Sequence, residues 1–158
     1  MIANRESEAG RTLDLARTFD APRDLVFRMW TDPEHFAQWC APARFVITGT
    51  RIDLRRGGVW WSDMRAPDGE TCAASGVYRE IVPPERLVFT YAHEMPDGSR
   101  GPETLVTVTF EEQQGKTNLR LHQSVFDSVE NRVAHVMGWN ECLDRLDARL
   151  AQADLDPA

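Results

Sequence analysis

Residues 45–123 limit the possible folds most, because turn-forming residues divide them into short pieces of similar length. The separators, such as Pro67-Asp68-Gly69, are rich in residues that readily adopt turn dihedral angles. Strands joined by such short turns pair antiparallel. Alternation, seen in Val106, Val108 and Phe110, gives the sheet an apolar face that another element must cover. The predicted strands are 44–54, 58–65, 72–82, 86–93, 104–112 and 117–125.

The C-terminal segment supplies that cover. From Ser128 to about Ala151 the chain contains no proline and only one glycine, Gly138, and its apolar residues recur at helical spacing. At ~1.5 Å per residue such a helix is roughly 35 Å long, which is enough to cross a sheet. Its apolar stripe comprises Val129, Val133, Val136, Trp139, Leu143, Leu146 and Leu150.

The N-terminal segment predicts one strand followed by two short helices. Residues 13–19 alternate as in a strand, although Arg17 interrupts the pattern. Pro22 suits the first turn of a helix, and Asp32-Pro33 combines a capping residue with a proline at the first helical position. The chain order is therefore a strand, two helices, six strands and one long helix, which is an α+β arrangement.

Charge and size narrow the possible partners. The 158 residues include 18 Lys and Arg against 25 Asp and Glu, and with a net charge of −7 we expect no nucleic-acid partner. No apolar run approaches the ~18 residues of a membrane span, and the first residues lack the apolar core of a signal peptide. Three cysteines without a CxxC pair indicate reduced thiols and a cytoplasmic location. We expect a monomer or homodimer with one domain at 11–153, a disordered tail at 1–10 and a C-terminal tail at 154–158.

Several short motifs accompany this order of elements. They are Phe19-Asp20-Ala21-Pro22, Thr31-Asp32-Pro33-Glu34-His35, Arg56-Gly57-Gly58-x-Trp60, Pro67-Asp68-Gly69, Gly76-x-Tyr78-x-Glu80, Pro83-Pro84-Glu85-Arg86-Leu87-Val88-Phe89-Thr90-Tyr91, Val106-Thr107-Val108-Thr109-Phe110 and Gly138-Trp139. Together they resemble the START-like (SRPBCC) superfamily and, within it, the homologues of the activator of the heat shock protein 90 ATPase. The resemblance implies the helix-grip fold, in which a curved antiparallel sheet of about seven strands wraps around a long C-terminal helix, with two short helices after the first strand. It also implies a cavity between the sheet and that helix.

Large apolar and aromatic residues are predicted to line this cavity, although each could instead simply pack in the core. Two polar residues are in phase with them, Gln123 on a strand and Asn140 within the apolar stripe. A buried amide needs a partner, which could be a protein group, water or a ligand. The predicted ligand-binding residues are Phe27, Trp30, Trp39, Trp60, Met64, Tyr78, Phe89, Tyr91, Gln123, Val136, Asn140 and Leu143.

The sequence offers little acid–base or metal chemistry. Tyr78 and Glu80 share a face in the predicted alternation and could transfer protons, but they are more simply a core tyrosine and a carboxylate at the rim. The histidines and cysteines show no ligand spacing, and the chain has no nucleotide-binding glycine loop. We therefore expect no metal, no cofactor and no catalytic residue.

Three functions remain open. The first, which we favour because few titratable residues point inward, is binding of an apolar or aromatic small molecule in the cavity, associated with a stress response. The second is an enzyme that resembles polyketide cyclases and aromatases and uses the same cavity. The third is an interaction protein that modulates a chaperone ATPase, as the family name suggests.

Overall fold

A computed structural model describes residues 12–41, 44–94, 99–124 and 129–155. The predicted disordered tail at 1–10 and the last three residues of the predicted C-terminal tail lie outside the described residues. Every predicted strand and helix is present, and the bounds agree within a few residues. The elements are β1 (Leu13–Phe19), α1 (Arg23–Thr31), α2 (Pro33–Trp39), β2 (Val46–Ile52), β3 (Val59–Arg65), β4 (Thr71–Val82), β5 (Arg86–Glu94), β6 (Thr104–Gln113), β7 (Lys116–Ser124) and α3 (Val129–Leu155).

The seven strands form one antiparallel sheet in the order β1-β7-β6-β5-β4-β3-β2. The strands β2 to β7 follow one another as a meander, as the short turns predict. The first strand joins the far edge, with Leu13 opposite Gln123 and Phe19 opposite Thr117. The core lies between the sheet and the three helices. This arrangement confirms the predicted α+β helix-grip fold.

A β-bulge in β4 changes which residues face the core. Tyr78 pairs with Phe89 and Glu80 pairs with Val88, so β4 has one extra residue between the two pairs. Tyr78 is buried, whereas Glu80 is exposed and its Oε1 lies 3.5 Å from Nε of Arg86. The prediction that Tyr78 and Glu80 share a face is therefore wrong, because the extra residue shifts the alternation by one.

The two short helices form one wall of the core. Asp32 caps α2, as predicted, by accepting a hydrogen bond from the backbone N–H of Glu34 at 2.9 Å. Trp39 is fully buried, and its Nε1 donates to the backbone oxygen of Met29 at 2.9 Å. Its ring packs edge-to-face on Trp30, with centroids 4.8 Å apart. These contacts tie α2 to α1.

Among the described side chains of the long helix α3, the buried ones begin at Trp139. The predicted burial of the stripe is wrong for Val133, which is 45% exposed, and Val136 is only partly buried. At that end His135 and Gly138 face the sheet, so a polar and a small residue replace the apolar stripe. The side chain of Val129 is not among the described parts of the structure. The buried residues of the stripe are Trp139, Leu143, Leu146 and Leu150.

Arg17 interrupts the alternation of β1 because it pairs with α3. Its Nη2 lies 2.8 Å from Oδ1 of Asp144 and donates to Oδ1 of Asn140 at 3.3 Å. Arg17 is half-buried, whereas Asp144 is exposed. The arginine thus attaches the edge strand β1 to the outer side of the helix.

Gly76 allows the indole of Trp60 to lie across the backbone of β4 and β5. Trp60 Nε1 donates to the backbone oxygen of Thr90 at 3.1 Å, and Thr90 Oγ1 accepts from the backbone N–H of Val77 at 2.8 Å. A Cβ atom on residue 76 would lie 1.7 Å from the oxygen of Thr90 and 2.6 Å from Nε1 of Trp60. Because the nearest atom belongs to the backbone, rotation of a side chain cannot relieve the clash.

We predict that Gly76→Ala lowers the free energy of unfolding by at least about 2 kcal/mol, since the new methyl group must displace β5. Gly49→Ala on β2 is the matched control. Its Cβ would lie 3.4 Å from the nearest atom, a ring carbon of Trp61, and its effect should stay within about 0.5 kcal/mol. Urea denaturation followed by circular dichroism measures both variants. If Gly76→Ala and Gly49→Ala unfold with the same free energy, the close approach of Thr90 and Trp60 to Gly76 is contradicted.

Candidate functional site

A cavity of about 210 Å³ lies between α3 and the half of the sheet that β2 to β5 form. Side chains from α1 and from the end of α2 complete its walls. The lining residues are Trp30, Phe36, Cys40, Ile52, Trp60, Ser62, Met64, Cys72, Ala74, Tyr78, Leu87, Phe89, Tyr91, His93, Ala134, His135, Gly138, Trp139 and Cys142.

Aromatic rings form a continuous wall of this cavity. The ring centroids of Trp60 and Tyr91 are 5.5 Å apart, and those of Tyr91 and Trp139 are 6.0 Å apart. Trp139 in turn stacks on Trp30 at 5.8 Å, with 27° between the ring planes. The wall therefore runs from β3 through β5 to the two helices α3 and α1. It offers an extended π surface to a bound molecule.

Two indoles of this wall use their N–H groups inside the protein. Trp60 Nε1 donates to the backbone oxygen of Thr90 at 3.1 Å, and Trp139 Nε1 donates to Oε1 of Gln123 at 2.8 Å. Nε1 of Trp30 is buried, and no described residue accepts a hydrogen bond from it. The hydrogen bonds hold the rings of Trp60 and Trp139 in place and leave carbon atoms to face a ligand.

All three cysteines of the chain line the cavity. Burial raises the pKa of Cys40 well above its usual value, and contact with the thiol of Cys142 raises it further. Burial is also the main cause of the raised pKa of Cys72. Because the thiolate is the nucleophilic form, Cys40 and Cys72 contribute soft, polarisable surface rather than reactivity.

The cavity opens where His93 on β5 meets His135 on α3. Ala134 is exposed and both histidines are half-buried, whereas deeper lining residues such as Trp60 are buried. The imidazole centroids lie 5.1 Å apart, and Tyr91 packs edge-on against both rings, at 5.3 Å from His93 and 5.8 Å from His135. Burial lowers the pKa of His93, and the nearby His135 lowers it further. The mouth is thus a polar end, with His93 neutral at pH 7, of a largely apolar cavity.

The predicted ligand-binding residues divide into two groups of six. Only one of the two groups borders the cavity. The first group lines the cavity and comprises Trp30, Trp60, Met64, Tyr78, Phe89 and Tyr91. The second group is absent from the lining and comprises Phe27, Trp39, Gln123, Val136, Asn140 and Leu143.

Four residues of the second group are apolar and belong to the packed core or its edge. Phe27 packs edge-to-face on Phe110 with centroids 5.3 Å apart. Trp39 and Leu143 are fully buried, and Val136 packs partly buried against the core. Helical spacing identifies the inward face of a helix, but it does not show which part of that face borders a void.

The two polar residues of the second group are both held by protein partners. Gln123 is fully buried: its Nε2 donates to Oγ1 of Thr104 at 2.7 Å, and its Oε1 accepts from Trp139. Asn140 accepts from Arg17 at 3.3 Å. The sequence leaves open whether these amides meet a protein group, water or a ligand. In the structure, both meet protein groups.

The predicted set omits the residues at the mouth. His93 alternates with Tyr91 along β5, and His135 lies one helical turn before Trp139. The strand and helix spacings that indicate Tyr91 and Trp139 therefore also apply to His93 and His135. They were missed because a polar side chain does not stand out within a pattern of apolar residues.

Neither a metal-binding cluster nor a membrane-spanning helix occurs in the described part of the chain. No group of three or more His, Cys, Asp or Glu side chains in this part could hold a metal ion. None of its helices combines the length and the apolar character that crossing a membrane requires.

Comparison with protein families assigns the chain. The family described as Activator of Hsp90 ATPase homolog 1-like protein matches residues 20–151. The chain belongs to this family. The match confirms the resemblance that the sequence motifs carry.

Solved structures agree with this assignment. An AHSA1 protein from Silicibacter pomeroyi is 28% identical, with a TM-score of 0.82 over 89% of this chain and 98% of that chain. A protein from Chromobacterium violaceum is 28% identical, with a TM-score of 0.77 over 88% and 96%. One from Rhizobium leguminosarum is 29% identical, with a TM-score of 0.75 over 89% and 94%. A comparison with curated proteins finds no match.

We predict that Gln123→Leu lowers the free energy of unfolding by about 1–3 kcal/mol, because it leaves the indole N–H of Trp139 without its acceptor in a buried site. Gln113→Leu, at the exposed end of β6, is the matched control and should change stability by about 0.5 kcal/mol or less. Urea denaturation measures both. A loss in Gln123→Leu no larger than in the control would contradict the bridging role of this amide.

We predict that His93 contributes to a loss of stability between pH 7 and pH 5. Its pKa is lowered in the folded protein, so the unfolded chain takes up a proton at higher pH than the folded chain does. The stability associated with the neutral ring is present above the unfolded pKa of about 6.5 and is lost as the pH falls below it. His93→Phe removes this proton uptake, so its melting temperature should fall less on acidification than that of the wild type. Parallel melting-temperature profiles would contradict the prediction.

Proposed function

We propose that the chain binds a small apolar or aromatic molecule in the cavity between α3 and the sheet. The observation that carries the proposal is the continuous aromatic wall of Trp60, Tyr91, Trp139 and Trp30. Because protein groups satisfy the indoles of Trp60 and Trp139, a ligand can cover these rings without breaking a hydrogen bond. Clefts lined mainly by apolar and aromatic groups, with a few polar groups, are the usual binding sites for small molecules.

The volume of the cavity limits the size of the ligand. At about 210 Å³ it exceeds an engineered cavity of about 150 Å³ that admits benzene. It is smaller than the ~300–1,000 Å³ that is typical for drug-sized ligands. A molecule of one or two fused rings therefore suits this space.

Binding is favoured over catalysis because several lining groups are held neutral. Burial raises the pKa of Tyr78 far above its usual value, and Glu80, which the alternation predicts on the same face, lies on the other face of β4. An enzyme similar to cyclases and aromatases would need a group that exchanges protons near neutral pH. His93 and His135 at the mouth are the residues on which that second candidate rests. Modulation of a chaperone ATPase draws its support from the family description.

Native mass spectrometry of the purified protein is the first test. A bound molecule would add a discrete mass that disappears on denaturation, and its fragmentation would identify its chemical class. The protein is then titrated with naphthalene, which should cause a saturable change in tryptophan fluorescence because three tryptophans line the cavity. The absence of both a bound mass and a saturable change would contradict the proposal.

We predict that Gly138→Leu weakens naphthalene binding by at least about tenfold, because the new side chain would occupy the cavity. Removal of a glycine from a helix contributes up to about 1 kcal/mol of stability, so the melting temperature should not fall. Ala148→Leu, exposed on the same helix, is the matched control and should keep wild-type affinity. Unchanged affinity in Gly138→Leu, measured by the same titration, would place the ligand elsewhere.

A further inference from the structure

Two imidazole rings and a phenol meet at the mouth of the cavity. His93 comes from β5 and His135 from α3, with centroids 5.1 Å apart, and the ring of Tyr91 contacts both. Tyr91 also belongs to the aromatic wall, since it contacts Trp60 and Trp139. A ligand whose rings cover this wall would therefore place one end against the two histidines.

The charge of the lining restricts what that end can be. Among the described residues of the lining there is no Lys, Arg, Asp or Glu. An ionised carboxylate or phosphate would lose its hydration here without meeting a fixed charge of opposite sign, which is strongly unfavourable. The mouth therefore suits a neutral polar group.

The hydrogen bonding of His93 further restricts which neutral polar group of a ligand fits the mouth. Its ring donates to the backbone carbonyl of Ala73, a contact that raises its pKa but is outweighed by burial and by His135. A neutral imidazole has a single N–H, so once that N–H is donated to Ala73 the other ring nitrogen is an acceptor. Burial raises the pKa of Tyr91, so its phenol stays protonated, and its ring packs edge-on against His93. A ligand that meets His93 should thus bring a hydrogen-bond donor.

We propose that His93 accepts a hydrogen bond from the hydroxyl group of an aromatic ligand, and that Tyr91 and His135 enclose this hydroxyl. The ligand class is a neutral phenol or naphthol of one or two rings, with its rings against Trp60 and Trp139. The inference rests on the proposed function and adds to it the chemistry of the mouth.

Three probes with the same ring system test the proposal at pH 7.5. 2-Naphthol carries a donor hydroxyl, 2-methoxynaphthalene keeps the oxygen but cannot donate, and naphthalene has neither. The wild-type protein should bind 2-naphthol about tenfold more tightly than either of the other two, as one additional hydrogen bond provides. This comparison is made on the wild type and so does not depend on how a variant folds.

Two variants then locate the preference. His93→Phe keeps a ring against Tyr91 and His135 but removes the acceptor nitrogen, so the preference should fall to about twofold or less while naphthalene still binds. His122→Phe is the control, since His122 lies on β7 and pairs with Asp14 outside the cavity. It should keep the full preference.

The outcomes separate this inference from the function on which it rests. A preference for 2-naphthol that His93→Phe abolishes and His122→Phe retains supports the inference. Equal wild-type affinities for the three probes, or a preference that survives in His93→Phe, would overturn the inference and leave the proposed function standing. If the wild type binds none of the three probes, the inference fails, and if native mass spectrometry also finds no bound mass, the proposed function fails with it.

Discussion

The hydrogen bond from the indole of Trp139 to Gln123 joins α3 to β7, the strand next to the edge strand β1. Gln123 also donates to Thr104, so two buried hydrogen bonds connect α3 with β7 and β6. An unpaired indole or amide in such a place is costly, and the helix is therefore held at one rotation and one depth. With α3 in that position, the ring of Trp139 stacks on Trp30 and joins the aromatic wall.

A comparable constraint holds the opposite wall. The indole of Trp60 is bonded to the backbone of Thr90, and only a glycine at position 76 leaves room for it. Trp60 and Trp139 are thus each fixed by a hydrogen bond at the edge of the same space. Side chains held in this way cannot easily rotate to fill the void between them, although a packed interior would favour such a collapse. The cavity persists because its walls are anchored.

The polar groups of this cavity are concentrated at one end. The interior presents aromatic rings and thiols, whereas the two histidines lie at the mouth. The bulge in β4 contributes to this arrangement, because it turns Glu80 to the outer face and leaves Tyr78 without a carboxylate partner. The cavity therefore combines a largely apolar interior with a polar mouth.

The sequence by itself determined the fold, because turn residues, alternation and the long helical stripe are local features that the chain carries at each position. It also determined which aromatic residues face inward. The sequence could not predict the bulge at Tyr78 and Glu80, because one extra residue in a strand cannot be recognised from the alternation of a single sequence. Only the tertiary structure decided the partners of Asn140 and Gln123 and the residues that border the void. A void is the space that remains between elements far apart in the chain, and the partner of Asn140, Arg17, lies 123 residues before it.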